Sequence, residues 1–295
     1  MSYDLFFRKR SPDQQFGRED FKRFFSRRPF YKVSDSQALY SNEDTGIYFT
    51  FDYDEPEDDA SEADADRSQV PVAFNINYFR PHVFGLEAEP EVAAFVRGFN
   101  LLVSDPQNSG MGEGEYSREG FLSGWNAGNK FGYLAISRSE NQSQLFTLPA
   151  SEIRRHWEWN YARAGRQDRL EVDAFVPTIM LLEMDGRIRT CVAWGDGIPI
   201  LLPVVDYVIV PRKRLAPRRW FRAGEDIVAF TWQELEPLFR DFHQRDKPTC
   251  FELFYNAPPA NIEELIRSKA PLSKRFNGIP FDQVLDHELL EEVRR

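Results

Sequence analysis

Two segments that alternate between large and polar side chains constrain the fold of this chain more than any other feature. In residues 47–53 and again in residues 70–78, every second residue is apolar or aromatic, and the residues between them include Tyr48, Thr50 and Asn75. Such alternation is typical of a strand with one buried face and one face that meets water or a partner. The two segments therefore predict neighbouring strands of an antiparallel sheet.

A strongly acidic run separates these two strands. Eight of the thirteen residues from 54 to 66 are Asp or Glu, and no base interrupts them. Such a stretch cannot bury enough apolar surface to offset its ordering entropy, so residues 54–69 are predicted to form a solvated loop. The candidate partner-binding residues are Asp54, Glu55, Glu57, Asp58, Asp59, Glu62, Asp64, Asp66 and Tyr48.

The remaining pattern of the first hundred residues predicts two helices and two more strands. A strand at residues 3–8 precedes a basic helix over residues 18–28. A second helix over residues 90–100 is followed by a short strand at residues 101–104.

Length and composition favour two domains. The chain has 295 residues, of which 42% are hydrophobic, so it can bury a sizeable core. Residues 105–116 are rich in Gly, Pro, Asn and Ser, which is typical of a boundary. We therefore predict an N-terminal α+β domain at residues 1–107 and a C-terminal α+β domain at residues 108–295.

The second half opens with two predicted helices, over residues 117–130 and 151–163. Gly120, Gly124 and Gly128 recur every fourth residue in the first of them, and the lack of a side chain permits close approach of another element. We interpret this spacing as a sign that another element packs closely against this helix.

A hairpin and several shorter elements follow. Strands at residues 178–184 and 187–194 are joined by Asp185-Gly186, a strong hairpin signal. Thr231 and Glu234 form a capping box that predicts the start of a helix. The chain ends with predicted helices at residues 261–269 and 281–293. Together these elements predict an α+β fold of two packed units, each a mainly antiparallel sheet with helices on one face.

Charge and cysteine content exclude several functional classes. The formal net charge of -10 disfavours binding to nucleic acid backbones and suits a basic protein partner. Cys191 and Cys250 have no metal-ligand spacing, so we expect reduced core cysteines. Residues 1–10 lack the apolar region of a signal peptide, and no apolar stretch is long enough to span a bilayer. We therefore expect a cytoplasmic protein without membrane contact.

The sequence contains no coherent catalytic or metal-binding motif. The four histidines are scattered without helical metal spacing, so no metal and no cofactor are predicted. Glu152 and His156 lie four residues apart on a predicted helix, which suits either an acid/base pair or an ion pair at the surface. We assign no catalytic residue.

One basic segment stands against the overall acidity. Arginine beside an aromatic ring can clamp an anion or stack on a base, so a nucleotide-binding or nucleic-acid-binding protein, or an enzyme, is the alternative function. An exposed loop that neutralises the acidic run explains the same segment. The candidate anion-binding residues are Arg212, Lys213, Arg214, Arg218, Arg219 and Trp220.

Two short segments carry a resemblance. Residues 3–7, Tyr-Asp-Leu-Phe-Phe, and residues 40–49, which run from Tyr40 to Phe49, resemble uncharacterised bacterial proteins encoded beside polymorphic toxins. The resemblance implies an immunity protein that neutralises a toxin by binding it directly and occluding its active site. An acidic immunity protein would suit a basic toxin.

A scaffold that self-associates through its C-terminal helix is a further alternative.

Overall fold

The structure is a computed structural model that describes residues 1–54, 68–107, 109–137, 145–184, 186–216, 226–240, 242–246, 249–272 and 276–294. The chain divides into two compact units. Unit 1 comprises Met1–Ile153 and Phe281–Arg295, and unit 2 comprises Arg154–Pro280.

The described elements confirm the predicted α+β class with mainly antiparallel sheets. The strands are β1 (Ser2–Lys9), β2 (Tyr31–Val33), β3 (Gln37–Asn42), β4 (Ile47–Tyr53), β5 (Gln69–Asn77), β6 (Leu101–Ser104), β7 (Glu113–Gly114), β8 (Phe146–Leu148), β9 (Met180–Met184), β10 (Arg187–Ala193), β11 (Ile200–Pro203), β12 (Tyr207–Arg212), β13 (Asp226–Thr231), β14 (His243–Asp246), β15 (Thr249–Leu253), β16 (Asn277–Ile279) and β17 (Val284–Asp286). The helices are α1 (Arg18–Phe25), α2 (Val83–Phe99), α3 (Arg118–Ser137), α4 (Ala150–Tyr161), α5 (Arg163–Asp168), α6 (Trp232–Leu235), α7 (Ala260–Ser268) and α8 (His287–Arg294).

Unit 1 is built on a seven-stranded sheet in the order β2-β3-β4-β5-β1-β6-β7, with antiparallel neighbours throughout. The two alternating segments form β4 and β5, which pair directly as predicted. The inward face of β4 carries Ile47, Phe49, Phe51 and Tyr53, all buried, while Thr50 on the other face is half-buried. The period-two pattern therefore identified the buried face of the central strands correctly.

Aromatic side chains join that inward face to the helices. Phe51 lies 4.7 Å from Phe25 of α1 and 5.3 Å from Phe95 of α2, measured between ring centroids. Phe121 of α3 packs at 5.3 Å against Tyr3 of β1. Aromatic pairs at these separations stabilise a core beyond the area that they bury, so the abundance of Phe has a structural explanation.

The compact units do not divide at the predicted boundary near residue 107. α3 lies beyond residue 107, yet it packs on the sheet of unit 1 through Phe121. Phe281–Arg295 also returns to unit 1, where β17 pairs in parallel with β8. Contacts between segments distant in sequence therefore extend unit 1 past the Gly-rich boundary.

The described residues of unit 2 form two sheets. One has five strands in the order β13-β12-β10-β9-β16, and the other has three in the order β11-β15-β14. β9 and β10 form the predicted antiparallel hairpin, and Gly186 adopts a φ of 73°, which the turn requires. The pairing of β10 with β12 is parallel, because β11 intervenes along the chain and joins the second sheet.

Three predicted helices differ from those of the structure. α2 begins at Val83 rather than at residue 90, since buried side chains at its start hold it although Pro90 lies inside it. The capping box at Thr231 starts α6, but Pro237 lacks an N–H and the chain continues as a 3-10 turn. The C-terminal helix begins at His287, because the preceding residues Val284–Asp286 form β17.

In the described part of the chain, no helix combines the length and apolar character that crossing a membrane requires.

Candidate protein-binding site

The face of the seven-stranded sheet opposite its buried aromatic side chains is the candidate site. We call it the open face, and its members on the central strands are Ser2, Asp4, Phe6, Arg8, Tyr48, Thr50, Asp52, Ala73 and Asn75. Apart from the exposed Phe6, these residues are half-buried, whereas alternate residues of the same strands are buried. The strand period thus places polar and aromatic groups together on one solvent-facing surface.

Carboxylates on the open face are fixed by hydrogen bonds across strands. Asn75 donates to Asp4 at 2.5 Å, and Gln37 donates to Asp52 at 2.8 Å. Thr50 donates its hydroxyl to the same Asp52 carboxylate at 3.0 Å. The donors of these hydrogen bonds are neutral amide and hydroxyl groups.

Phe6 is the exposed aromatic residue of this face. Its neighbours across the two flanking strands are Ala73 and Ser104, which are both small. As a result, 37% of Phe6 remains exposed although it lies on a central strand. A rigid aromatic ring among hydrogen-bonded polar groups is the type of residue that serves as an anchor at protein interfaces.

The acidic run emerges at one end of these strands. Asp54 is exposed, and its N–H donates to the carbonyl of Pro71 at 3.1 Å. At the other end of the run, Lys9 donates its N–H to the carbonyl of Ser68 at 2.6 Å. Both ends are therefore attached to the strands that bear the open face. The other acidic candidates lie outside the described residues, and they are Glu55, Glu57, Asp58, Asp59, Glu62, Asp64 and Asp66.

Tyr48 lies on the open face but is held by groups of its own unit. Its hydroxyl accepts a hydrogen bond from Arg80 at 2.7 Å and donates to Asp282 at 3.0 Å. Burial raises the pKa of the Tyr48 hydroxyl, and the Arg80 guanidinium partly offsets that effect. The half-buried ring also packs at 5.9 Å against Phe84 at the start of α2, measured between ring centroids, so Tyr48 is held on several sides by its own unit.

A histidine and an aspartate that the sequence did not connect meet beside this region. His82 Nδ1 lies 2.5 Å from a carboxylate oxygen of Asp286, and the His82 backbone N–H donates to the other oxygen at 2.8 Å. Tyr133 donates its hydroxyl to Asp286 at 3.2 Å. Because His82 and Asp286 are 204 residues apart, no local pattern could have indicated the pair. The contact attaches the C-terminal segment to the start of α2.

Arg212, the first of the candidate anion-binding residues, lies in the interior of unit 2. It is 1% exposed, and it donates to both carboxylate oxygens of Asp226 at 2.6 and 2.7 Å. Its remaining terminal nitrogen donates to the carbonyls of Ile266, Arg267 and Lys269 at the C-terminal end of α7. A guanidinium so engaged is a structural cap and is not available to a ligand.

The carboxylate of Asp196 lies beside the exposed residues Lys213 and Arg214, which follow Arg212. The backbone N–H groups of Lys213, Arg214 and Leu215 donate to the carboxylate of Asp196 at 3.0 to 3.1 Å. Burial alone would raise the pKa of Asp196, but these three donors lower it. The chain's own carboxylate thus fills the backbone site that an anion would use. Arg218, Arg219 and Trp220 lie outside the described residues.

His156, which the sequence offered with Glu152 as either an acid/base pair or a surface ion pair, is not placed for proton exchange with a substrate. His156 is 3% exposed, and burial lowers its pKa to about 4, so the imidazole is neutral and shielded from solvent. Cys191 and Cys250 are free and buried, as expected of core residues. Burial raises the pKa of Cys191 to about 12, which keeps this thiol protonated. Within the described ranges, no group of His, Cys, Asp or Glu side chains could hold a metal ion.

No family model matches the chain, and no curated protein or solved structure matches it either. The function has therefore to be argued from the residues of the chain itself.

Proposed function

We propose that this chain is a protein-binding module whose open face docks a basic protein. The observation that carries the proposal is the exposed ring of Phe6 on a polar sheet face, next to the strand ends that bear the acidic run. Aromatic anchors supply the buried centre of an interface, and charge around them selects the partner.

The charge of the chain supports a basic partner. Asp4 and Asp52 lie on the open face, eight more carboxylates lie within residues 54–66, and the whole chain carries a formal charge of -10. Such a field raises the association rate of an oppositely charged protein and falls off with salt.

The finer form of the proposal is an immunity protein of the bacterial cytoplasm that occludes the active site of a basic toxin. It rests on the resemblance of residues 3–7 and 40–49 to proteins encoded beside polymorphic toxins, together with the acidity of the chain. Nothing in the proposal requires catalysis, since tight occlusion alone would neutralise the toxin.

The experiment is capture of the partner on the tagged protein from its native cells, followed by association kinetics with the captured protein. The test variant neutralises three acids of the run: Asp54→Asn, Glu55→Gln and Glu57→Gln. The matched control neutralises three exposed acids of unit 2: Glu158→Gln, Glu236→Gln and Glu264→Gln.

We expect one basic protein at near-equal stoichiometry. The test variant should associate with it several-fold more slowly than the control at low salt, and the difference should vanish at high salt. Recovery of an acidic protein, or equal slowing by both variants at low salt, would contradict the proposal.

A further inference from the structure

Unit 2 contains a groove of about 490 Å³ that none of the preceding roles uses. It is lined by Val172, Asp173, Pro199, Phe254, Tyr255 and Asn256. Its volume lies in the range of ordinary ligand sites, so the groove can accept a group the size of a side chain.

Three neighbouring segments hold the groove in shape. Phe175 donates its N–H to the carbonyl of Pro199 at 3.0 Å, and Leu201 donates its N–H to the carbonyl of Phe175 at 2.9 Å. β11 then pairs with β15, which leads into the wall formed by Phe254 and Tyr255. The Tyr255 hydroxyl donates to the carbonyl of Gly197 at 2.6 Å. Backbone and side-chain hydrogen bonds thus tie the segments that carry Phe175, Pro199 and Tyr255 to one another.

The lining combines apolar surface with one negatively charged side chain. Val172, Pro199, Phe254 and Tyr255 offer aliphatic and aromatic contact, and Asp173 is the charged residue among the lining side chains. Asp173 is exposed and is one of the lining residues, so its carboxylate is accessible to a ligand of the groove. A cation on an alkyl stem suits this arrangement, because the stem packs on the apolar walls while the charge reaches the carboxylate.

Exposed apolar residues continue the surface beyond the groove. Val172 is 46% exposed, Phe175 is 42% exposed and Ile198 is 41% exposed. Phe175 and Ile198 both adjoin Pro199, the first through its hydrogen bond and the second along the chain. Clustered exposed apolar side chains mark an interaction surface. A lone small cation would leave them uncovered, whereas an extended peptide would cover them.

We propose that this groove binds an extended segment of a protein in which an arginine lies between apolar residues. The arginine stem occupies the groove with its guanidinium at Asp173, and the flanking apolar side chains lie on Val172, Phe175 and Ile198. The site lies in unit 2 and shares no residue with the open face, so it stands independently of the proposed function.

The test is titration of the full chain with the tripeptide acetyl-Leu-Arg-Leu-amide, followed by backbone amide chemical shifts. The comparison peptide, acetyl-Leu-Glu-Leu-amide, has the same apolar residues and the opposite charge. Asp173→Asn removes the carboxylate of the groove. Asp168→Asn is the matched control, because Asp168 is also exposed, lies on α5 and is not one of the lining residues.

We expect saturable shifts at Val172, Asp173 and Asn256 with the arginine peptide, and much weaker binding of the glutamate peptide. Asp173→Asn should weaken the arginine peptide about two- to fivefold, as expected for an exposed ion pair, and Asp168→Asn should not. Equal binding of both peptides, an unchanged affinity in Asp173→Asn, or no saturable shift at these amides would overturn the assignment. The open face uses other residues, so none of these results bears on it.

Discussion

Replacing Arg212 by methionine separates a structural role from a ligand-binding role for the basic segment. Arg212→Met keeps an apolar stem of similar length but removes the charge that is 1% exposed and bound to Asp226. It also leaves the terminal carbonyls of α7 without this donor. Losing one partner of a buried ion pair costs about 3–5 kcal/mol, and the 22% exposure of the Asp226 side chain lets water compensate in part. We therefore expect a loss of about 3 kcal/mol in the free energy of unfolding.

The assay is urea unfolding followed by tryptophan fluorescence, since Trp159 and Trp194 are buried in unit 2. With an ordinary dependence on urea, a loss of this size lowers the midpoint by about 1–2 M. Arg214→Met is the matched control, because the Arg214 side chain is 61% exposed and lies 4.0 Å from its nearest acidic partner. We expect it to change stability by less than about 0.5 kcal/mol. Equal stability of the two variants would refute the structural role of Arg212.

Three further substitutions test contacts in both units. Asp196→Asn should lower the free energy of unfolding by a constant amount at neutral pH, and this difference from the wild type should shrink below about pH 4. The reason is that a carboxylate with a lowered pKa stabilises the fold only while it is ionised, and the measurement is unfolding over a range of pH. Asp286→Ala should lower the free energy of unfolding in urea by about 1–3 kcal/mol, since the His82 N–H loses its acceptor while the Tyr133 hydroxyl can donate to the carbonyl of Arg80. Gly128→Ala should lower the thermal midpoint, because its methyl group would collide with the buried ring of Tyr78 at a cost of about 1–3 kcal/mol, whereas Gly165→Ala on α5, whose nearest neighbour is the Arg169 side chain at 3.5 Å, should not. These contacts would be contradicted by any of three results: an unchanged thermal midpoint in Gly128→Ala, a wild-type free energy of unfolding in Asp286→Ala, or a stability difference for Asp196→Asn that does not depend on pH.

Local patterns predicted the elements whose own residues determine them. β4 and β5 alternate strictly, so their pairing and buried face followed from periodicity. The hairpin of β9 and β10 followed from the turn at Gly186. Close packing at Gly128 also followed from its spacing along α3.

The remaining features depend on contacts between distant residues, which no local pattern records. The basic segment reads as an exposed loop, yet Asp226 and the end of α7 draw Arg212 inside. The C-terminal helix was predicted to begin at residue 281, but β17 pairs with β8, so the helix begins at His287. Phe6 was missed as a site residue, although the alternation along β1 already placed it opposite the buried side chains.

The central claim, that the open face binds a basic protein, is tested most directly by comparing two exposed phenylalanines of unit 1. Phe6 lies on the open face, whereas Phe131 is 63% exposed on α3. The measurement is the dissociation constant of the captured partner for Phe6→Asp and for Phe131→Asp. We expect Phe6→Asp to weaken binding at least about tenfold and Phe131→Asp to bind like the wild type. Equal affinities of the two variants would contradict the claim.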